Sequence, residues 1–178
     1  ACTGGTAADF SRSGINLRSP GPPNAMGGAA GNDLWRSAAA PTGNDDALIG
    51  TTNGTAFVDV TDPENPVFVG ILPTETISTP WRDIKVYQDH AYIVADASGA
   101  HGMQVFNLTR LRGGIAPQTL TADALVGDLG NGHNQAIKED TGVGYAGGRN
   151  TGVPGVRMIE MTTAHNPRFA GWPDRVVV

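Results

Sequence analysis

The chain lacks most of the features that mark the common functional classes. It has one cysteine, Cys2, among 178 residues, so an internal disulfide and a cysteine-rich metal site are both excluded. No apolar run reaches the ~18 residues that a membrane-spanning helix needs. Charged residues make up 16% and the net charge is −5, with 12 lysines and arginines scattered along the chain. A nucleic-acid or anionic-membrane surface needs clustered basic residues, so neither partner is expected. No long stretch shows helical periodicity. Ser37, Ser78 and Ser98 lack the G-x-S-x-G context of a hydrolase elbow. The histidines at 90, 101, 133 and 165 are never at metal-motif spacing. The glycine-rich run from Gly142 to Gly148 lacks the Lys-Ser/Thr pair of a nucleotide loop.

Glycine and proline are abundant instead, at 25 and 12 residues, well above the usual combined share of roughly 12%. This composition predicts a turn-rich, all-β chain. Residues 1–30 read as a Gly/Ala/Pro-rich N-terminal arm, with SPGPP at 19–23. Beyond it the chain repeats. GTAFVDVTDPENPVFVG at 54–70 and GVRMIEMTTAHNPRFAG at 155–171 align without a gap, sharing Gly, Thr, Asn, Pro, Phe and Gly. The two prolines of the first copy cannot sit inside a ladder, so they end one strand and set the angle of the next.

A unit of about 50 residues opens three times with a small polar pair, Asn32-Asp33, Arg82-Asp83 and His133-Asn134. Each pair precedes a short strand, a polar turn, a second strand, a Gly-containing turn and a third strand. An Asn-Pro corner then launches a fourth strand in units one and three. Four short antiparallel strands per unit predict a β-propeller blade. We place about three blades at 31–72, 81–111 and 132–171, within a domain of 31–178, and leave 113–131 irregular. Propellers have about four to eight blades, so we expect further blades in a longer protein, or closure against another chain through the open blade edge. The start at Ala1 is consistent with a processed form. Cys2 is then a lipid-attachment candidate or a terminal thiol.

The recurring pairs supply the candidate site residues. First strands of a propeller line a central channel, so Asn32, Asp33, Arg82, Asp83, His133 and Asn134 could form a polar ring. Asp33 and Asp83 could then offer oxygen ligands to Ca²⁺, and His101 and His133 could join Asp83. Alternatively, each pair satisfies local backbone groups in a turn. Asp59, Asp62 and Glu64 form an acidic corner that reads as turn chemistry or a surface cation site. Asn53-Gly54-Thr55 and Asn107-Leu108-Thr109 fit the glycosylation pattern. Trp35 and Trp81 beside the pairs read as packing between blades, or as exposed recognition aromatics.

TAFVDVTDPENPVFVG resembles the LVIVD repeat of bacterial surface proteins. The wider runs GNDLW, ALIGTTNGTAFVDVTDPENPVFVGILPT, WRDIKVYQDHAYIVADASGAHGMQVFNLTRLRG and GHNQAIKEDTGVGYA resemble the choice-of-anchor B family over about residues 31–171. The resemblance implies a secreted, propeller-like domain held at the bacterial cell surface, with no established catalytic residues. Repeat architecture without a catalytic constellation, together with this resemblance, points to a non-enzymatic extracellular module that binds proteins or surface polymers, without a cofactor. The competing readings are a metal-dependent enzyme with its site at the axial channel and a structural subunit of a surface layer or filament.

Overall fold

The computed structural model describes residues 17–39, 43–113, 117–148 and 155–171, together with the backbone of two short paired strands, β1 (Thr6–Ala7) and β2 (Phe10–Ser11). Cys2 and the apolar tail at 174–178 lie outside the described residues. A 3-10 turn over Pro23–Met26 follows in the arm. The remaining strands are β3 (Gly31–Ala39), β4 (Asn44–Thr51), β5 (Gly54–Asp59), β6 (Val67–Pro73), β7 (Arg82–Tyr87), β8 (His90–Ala95) and β9 (Met103–Asn107). They continue with β10 (Gln118–Thr119), β11 (Ala124–Val126), β12 (Asn134–Lys138), β13 (Val143–Gly147), β14 (Arg157–Glu160) and β15 (Arg168–Gly171). Among the described residues there is no α-helix, and the chain is all-β.

These strands form three sheets, each built on an antiparallel set of four strands, one per sequence repeat. The first is β3-β4-β5-β6, the second β7-β8-β9-β11 and the third β12-β13-β14-β15. The segment read as irregular in the sequence holds two strands with different destinations. β10 leaves its own repeat and adds to the outer edge of the first sheet, parallel to β6, with Gln118 opposite Gly70 and Thr119 opposite Ile71. The chain then returns, and β11 pairs with β9 to supply the fourth strand of the second sheet.

Local chemistry repeats with the strands. The third strand of every sheet ends in an acceptor that takes the N–H of a threonine two residues on. Thr61 donates to Asp59 Oδ1 (2.9 Å), Thr109 to Asn107 Oδ1 (3.0 Å) and Thr162 to Glu160 Oε1 (2.6 Å). These turns use the side-chain oxygens locally, as such residues do at strand ends. Within the DPENP corner, Asp62 accepts from the Glu64 N–H (3.0 Å) and from Asn65 Nδ2 (2.8 Å). The Asn65 side chain, followed by the Glu64 amide, holds the Asp62 carboxyl below its ordinary value.

The sheets pack face to face. Leu48, Phe57, Ile84, Ile93 and Phe106 fill the layer between the first and second, with Phe57 and Phe106 ring centroids 4.9 Å apart. Tyr92, Val94, Met103, Val105, Ile159 and Met161 fill the layer between the second and third. Alternate residues of β8 serve the two layers, Ala91 and Ile93 one and Tyr92 and Val94 the other. The far face of the first sheet is covered by the arm, where Met26 packs against Ala56 and Val58. Arg18 pairs with Glu64, and Asn53 Nδ2 donates to the Gly27 carbonyl (2.9 Å), pinning the arm down.

The sheets converge at their first strands, with β3 beside β7 and β7 beside β12. Toward the outer strands they splay, leaving a cleft of about 450 Å³ lined by Leu72, Pro73, Gln104, Leu120 and Leu125. β10 reaches the first sheet only because residue 70 is glycine. A Cβ there would stand 2.5 Å from the Gln118 carbonyl oxygen. We predict that Gly70→Ala expels β10 and costs about 1–3 kcal/mol. The Leu120 amide, which donates to the Ile71 carbonyl (2.8 Å), should exchange with deuterium at least about tenfold faster. Unchanged protection at Leu120 would refute this.

Candidate functional site

The polar pairs that open the repeats sit where the first strands converge, and their two aspartates do the same job. β3 runs beside β7, and Asp33 Oδ2 accepts the backbone N–H of Ile84 (2.6 Å). β7 runs beside β12, and Asp83 Oδ2 accepts the backbone N–H of Gln135 (2.8 Å). Each carboxylate thus clasps its own sheet to the next at equivalent positions. Lys85 lies between them, with Nζ 2.8 Å from Asp83 Oδ1 and 3.9 Å from Asp33 Oδ2. It also stacks 4.6 Å from the Trp35 ring centroid. The cationic position between the two aspartates is therefore filled by an ammonium group.

Further bonds reinforce the same junctions. Asn32 Nδ2 donates to the Arg82 carbonyl (3.1 Å). Gln135 Nε2 donates to the carbonyls of Asp83 (2.9 Å) and Tyr92 (2.7 Å). The Tyr92 hydroxyl, buried in the core, donates to the Ala164 carbonyl (2.9 Å).

Arg82 and His101 form a second, buried pair. Arg82 Nε donates to the Thr51 carbonyl (2.8 Å), and its Nη1 lies 3.4 Å from His101 Nε2. His101 Nδ1 lies 3.1 Å from the Gly102 carbonyl and must donate to it. This fixes the tautomer and leaves Nε2 as the acceptor facing the guanidinium. Burial lowers Arg82 to about 10. Burial, and then the Arg82 charge, push His101 down to about 4, so His101 is neutral at pH 7.

His133 goes elsewhere. Its Nδ1 lies 2.8 Å from Asp96 Oδ2. Asp96 also accepts from Asn131 Nδ2 (2.5 Å) and the Ala97 N–H (2.7 Å). Burial alone would raise the Asp96 carboxyl, but the Ala97 amide, His133 and Asn131 together outweigh it and hold it below its ordinary value. Neither His101 nor His133 is brought to Asp83. Asn134 begins β12 and is exposed. Among the described residues no three of the His, Cys, Asp and Glu side chains group as a cation-holding cluster.

No family model matches the chain, and neither does a curated protein or a solved structure. No helix of the described residues is long and apolar enough to cross a membrane. Of the two tryptophans, Trp35 packs against the first core layer, whereas Trp81 is 54% exposed just before β7. The sequence-stretch Asn53-Gly54-Thr55 is occupied structurally, since Asn53 bonds the arm and Thr55 is fully buried.

One titrating group in the first sheet was not among the sequence candidates. Asp46 stands opposite Asp59 across β4 and β5. Burial, then Asp59 and Asp45, raise its carboxyl to about 6.

Replacing Asp83 tests the clasp. Asp83→Ala strands the Gln135 amide and the Lys85 ammonium, and should cost about 2–4 kcal/mol in urea unfolding. Asp83→Asn keeps an acceptor and should cost about half as much. Equal losses would mean that the charge on Lys85, not the amide bond, is what matters.

His101 and Asp46 make opposite pH predictions. His101 titrates at about 4 in the folded chain against an ordinary 6.5, so its contribution is complete above the higher value and is lost as pH falls toward the lower. Asp46 titrates at about 6 against 3.8, so its contribution is complete at low pH and is lost as pH rises through 6. Each linkage amounts to about 2–3 kcal/mol between pH 7 and 4, and the two oppose each other. Relative to the wild type, His101→Gln should gain stability on acidification over this range and Asp46→Asn should lose it. Parallel urea midpoints for all three chains across pH would contradict both assignments.

Proposed function

We propose that this chain is a non-enzymatic module of a secreted or cell-surface protein, a propeller-like stack of blades that binds or assembles with protein or surface-polymer partners. The observation that carries this reading is the use made of the opening pairs. Asp33 and Asp83, the best candidates for chemistry, are engaged in joining one sheet to the next, with Lys85 between them. Stacked sheets that converge at their first strands and splay at their outer ones have the wedge shape from which propellers are built. The resemblance of residues 31–171 to the choice-of-anchor B family and its LVIVD repeat supports a cell-surface setting. Rigid blades of this kind present loops at two rims, which suits recognition. No cofactor forms part of this reading, and Ca²⁺ held by Asp33 and Asp83 is the alternative to be tested beside it.

The experiment is retention of the purified, fluorescently labelled chain on intact cells of the source organism. Retention should survive EDTA. It should fall after protease treatment of the cells if the partner is a protein, and after glycosidase treatment if it is a polymer. Absence of retention on untreated cells would sink the binding reading. Loss with EDTA, restored by Ca²⁺, would favour the metal-dependent alternative.

A further inference from the structure

At the end of the first strands opposite the clasps, a cleft of about 480 Å³ opens between the first and second sheets, a size typical of small-molecule sites. Its walls include Trp35 and Ser37 in the second half of β3, Tyr87 at the end of β7, Gln88 and Asp89 in the turn that follows, and Glu139 in the turn after β12. Ser37 and Tyr87 each stand four residues beyond a clasping aspartate, so the repeat sets two hydroxyls at equivalent positions of neighbouring strands.

Several polar groups of this cleft are unengaged. Ser37 is only 8% exposed, yet its hydroxyl makes no hydrogen bond among the described residues. Gln88 Nε2 donates to the Tyr87 hydroxyl oxygen (3.0 Å). That leaves the Tyr87 proton and the Gln88 amide oxygen without a partner among the described residues. The charges are mostly matched. Arg36 pairs with Asp45 (2.8 Å) and Arg112 with Asp89 (2.9 Å), whereas Glu139 is exposed and has no ion-pair partner among the described residues. The turn between β7 and β8 also keeps its side chains against a backbone preference. Gln88 and Asp89 have φ of +47° and +58°, a turn for which Asn-Gly is preferred. Glycine there would relieve the strain but would bring no side chain to the cleft.

We propose that this cleft binds a neutral sugar unit of a surface polymer. The proposal rests on the polymer half of the function above and names its site. The unengaged groups mix donors, the Ser37 and Tyr87 hydroxyls, with acceptors, the Gln88 amide oxygen and the Glu139 carboxylate. A ligand hydroxyl both gives and takes a hydrogen bond, so a polyol can satisfy all four. An ammonium ligand brings donors alone and leaves the two hydroxyl protons unmatched. An anionic ligand is repelled by Glu139. The ring carbons of a sugar meet apolar surface from Trp35 and Val86 in the same wall, the division of labour expected where one molecule is polar at its edge and apolar on its faces.

Titration of the isotope-labelled full chain with glucose, cellobiose, maltose and diacetylchitobiose, followed by amide NMR shifts into the millimolar range, tests this. Shifts should concentrate at Ser37, Tyr87, Gln88 and Glu139. Glu139→Gln, at an exposed position, and Ser37→Ala, which removes a hydroxyl that bonds nothing in the chain, should each weaken binding about fivefold or more with melting unchanged. Trp81→Ala, just before the opposite end of β7 where the ring is 54% exposed, should leave binding unaffected. No shift at the cleft with any of these sugars, variants at Ser37 and Glu139 that bind as the wild type does, or tighter binding of glucosamine or glucuronate than of glucose would overturn the proposal. A chain that binds these sugars at the cleft but is not retained on cells keeps the site and removes the cell-surface reading. Retention on cells that glycosidase abolishes, without any sugar shift at the cleft, keeps that reading and removes the site.

Discussion

A carboxylate taking a backbone N–H from the neighbouring sheet is the interaction on which this architecture depends. Sheets that meet through apolar faces alone are free to slide, because burial is non-directional. The Asp33–Ile84 and Asp83–Gln135 bonds remove that freedom at the end where the sheets come closest. They fix which residue of one first strand lies against which residue of the next. Lys85 lies between the two, so two partly buried acids share one ammonium group. The core layers supply most of the favourable free energy, but the clasps specify the register in which that burial happens.

The clasps also set where the titratable groups of this region turn. Each is drawn toward a different neighbour. Asp33 and Asp83 point forward along the stack, Arg82 turns to Thr51 and His101, and His133 turns to Asp96. The carboxylate lone pairs are taken by main-chain amides together with Lys85, Asn131 and His133, and the Arg82 Nε and His101 Nδ1 protons by main-chain carbonyls.

Much of this was legible in residues 31–111 and 132–171. The strands and their turns follow from the repeat of about 50 residues, the Gly and Pro placement and the Asn-Pro corner of the first and third units. The recurrence of the opening pairs was equally plain, but spacing does not say where a side chain points, and a ring and a set of clasps share the same period. β10 and β11 escaped because strands of two and three residues carry no periodicity, and the parallel pairing of β10 depends on Gly70, nearly fifty residues away. Asp96 escaped for a similar reason. Its partner His133 belongs to the next repeat, and nothing local to either residue marks the pair. Asp46 follows Asp45 near the start of β4, and only the strand register places it across from Asp59 in a buried setting.

The excursion of β10 has a consequence for how the chain is made. A meander of four strands can close as soon as its last strand leaves the ribosome, and the first sheet would then be finished near residue 73. Because its outer edge is supplied by residues 118 and 119, it waits for most of the second repeat to be synthesised. Domains commonly fold in the order of synthesis, and here that order is interleaved. The first two repeats mature as one cooperative unit, so a nascent chain cut between them would expose an unfinished strand edge to its neighbours on the polysome.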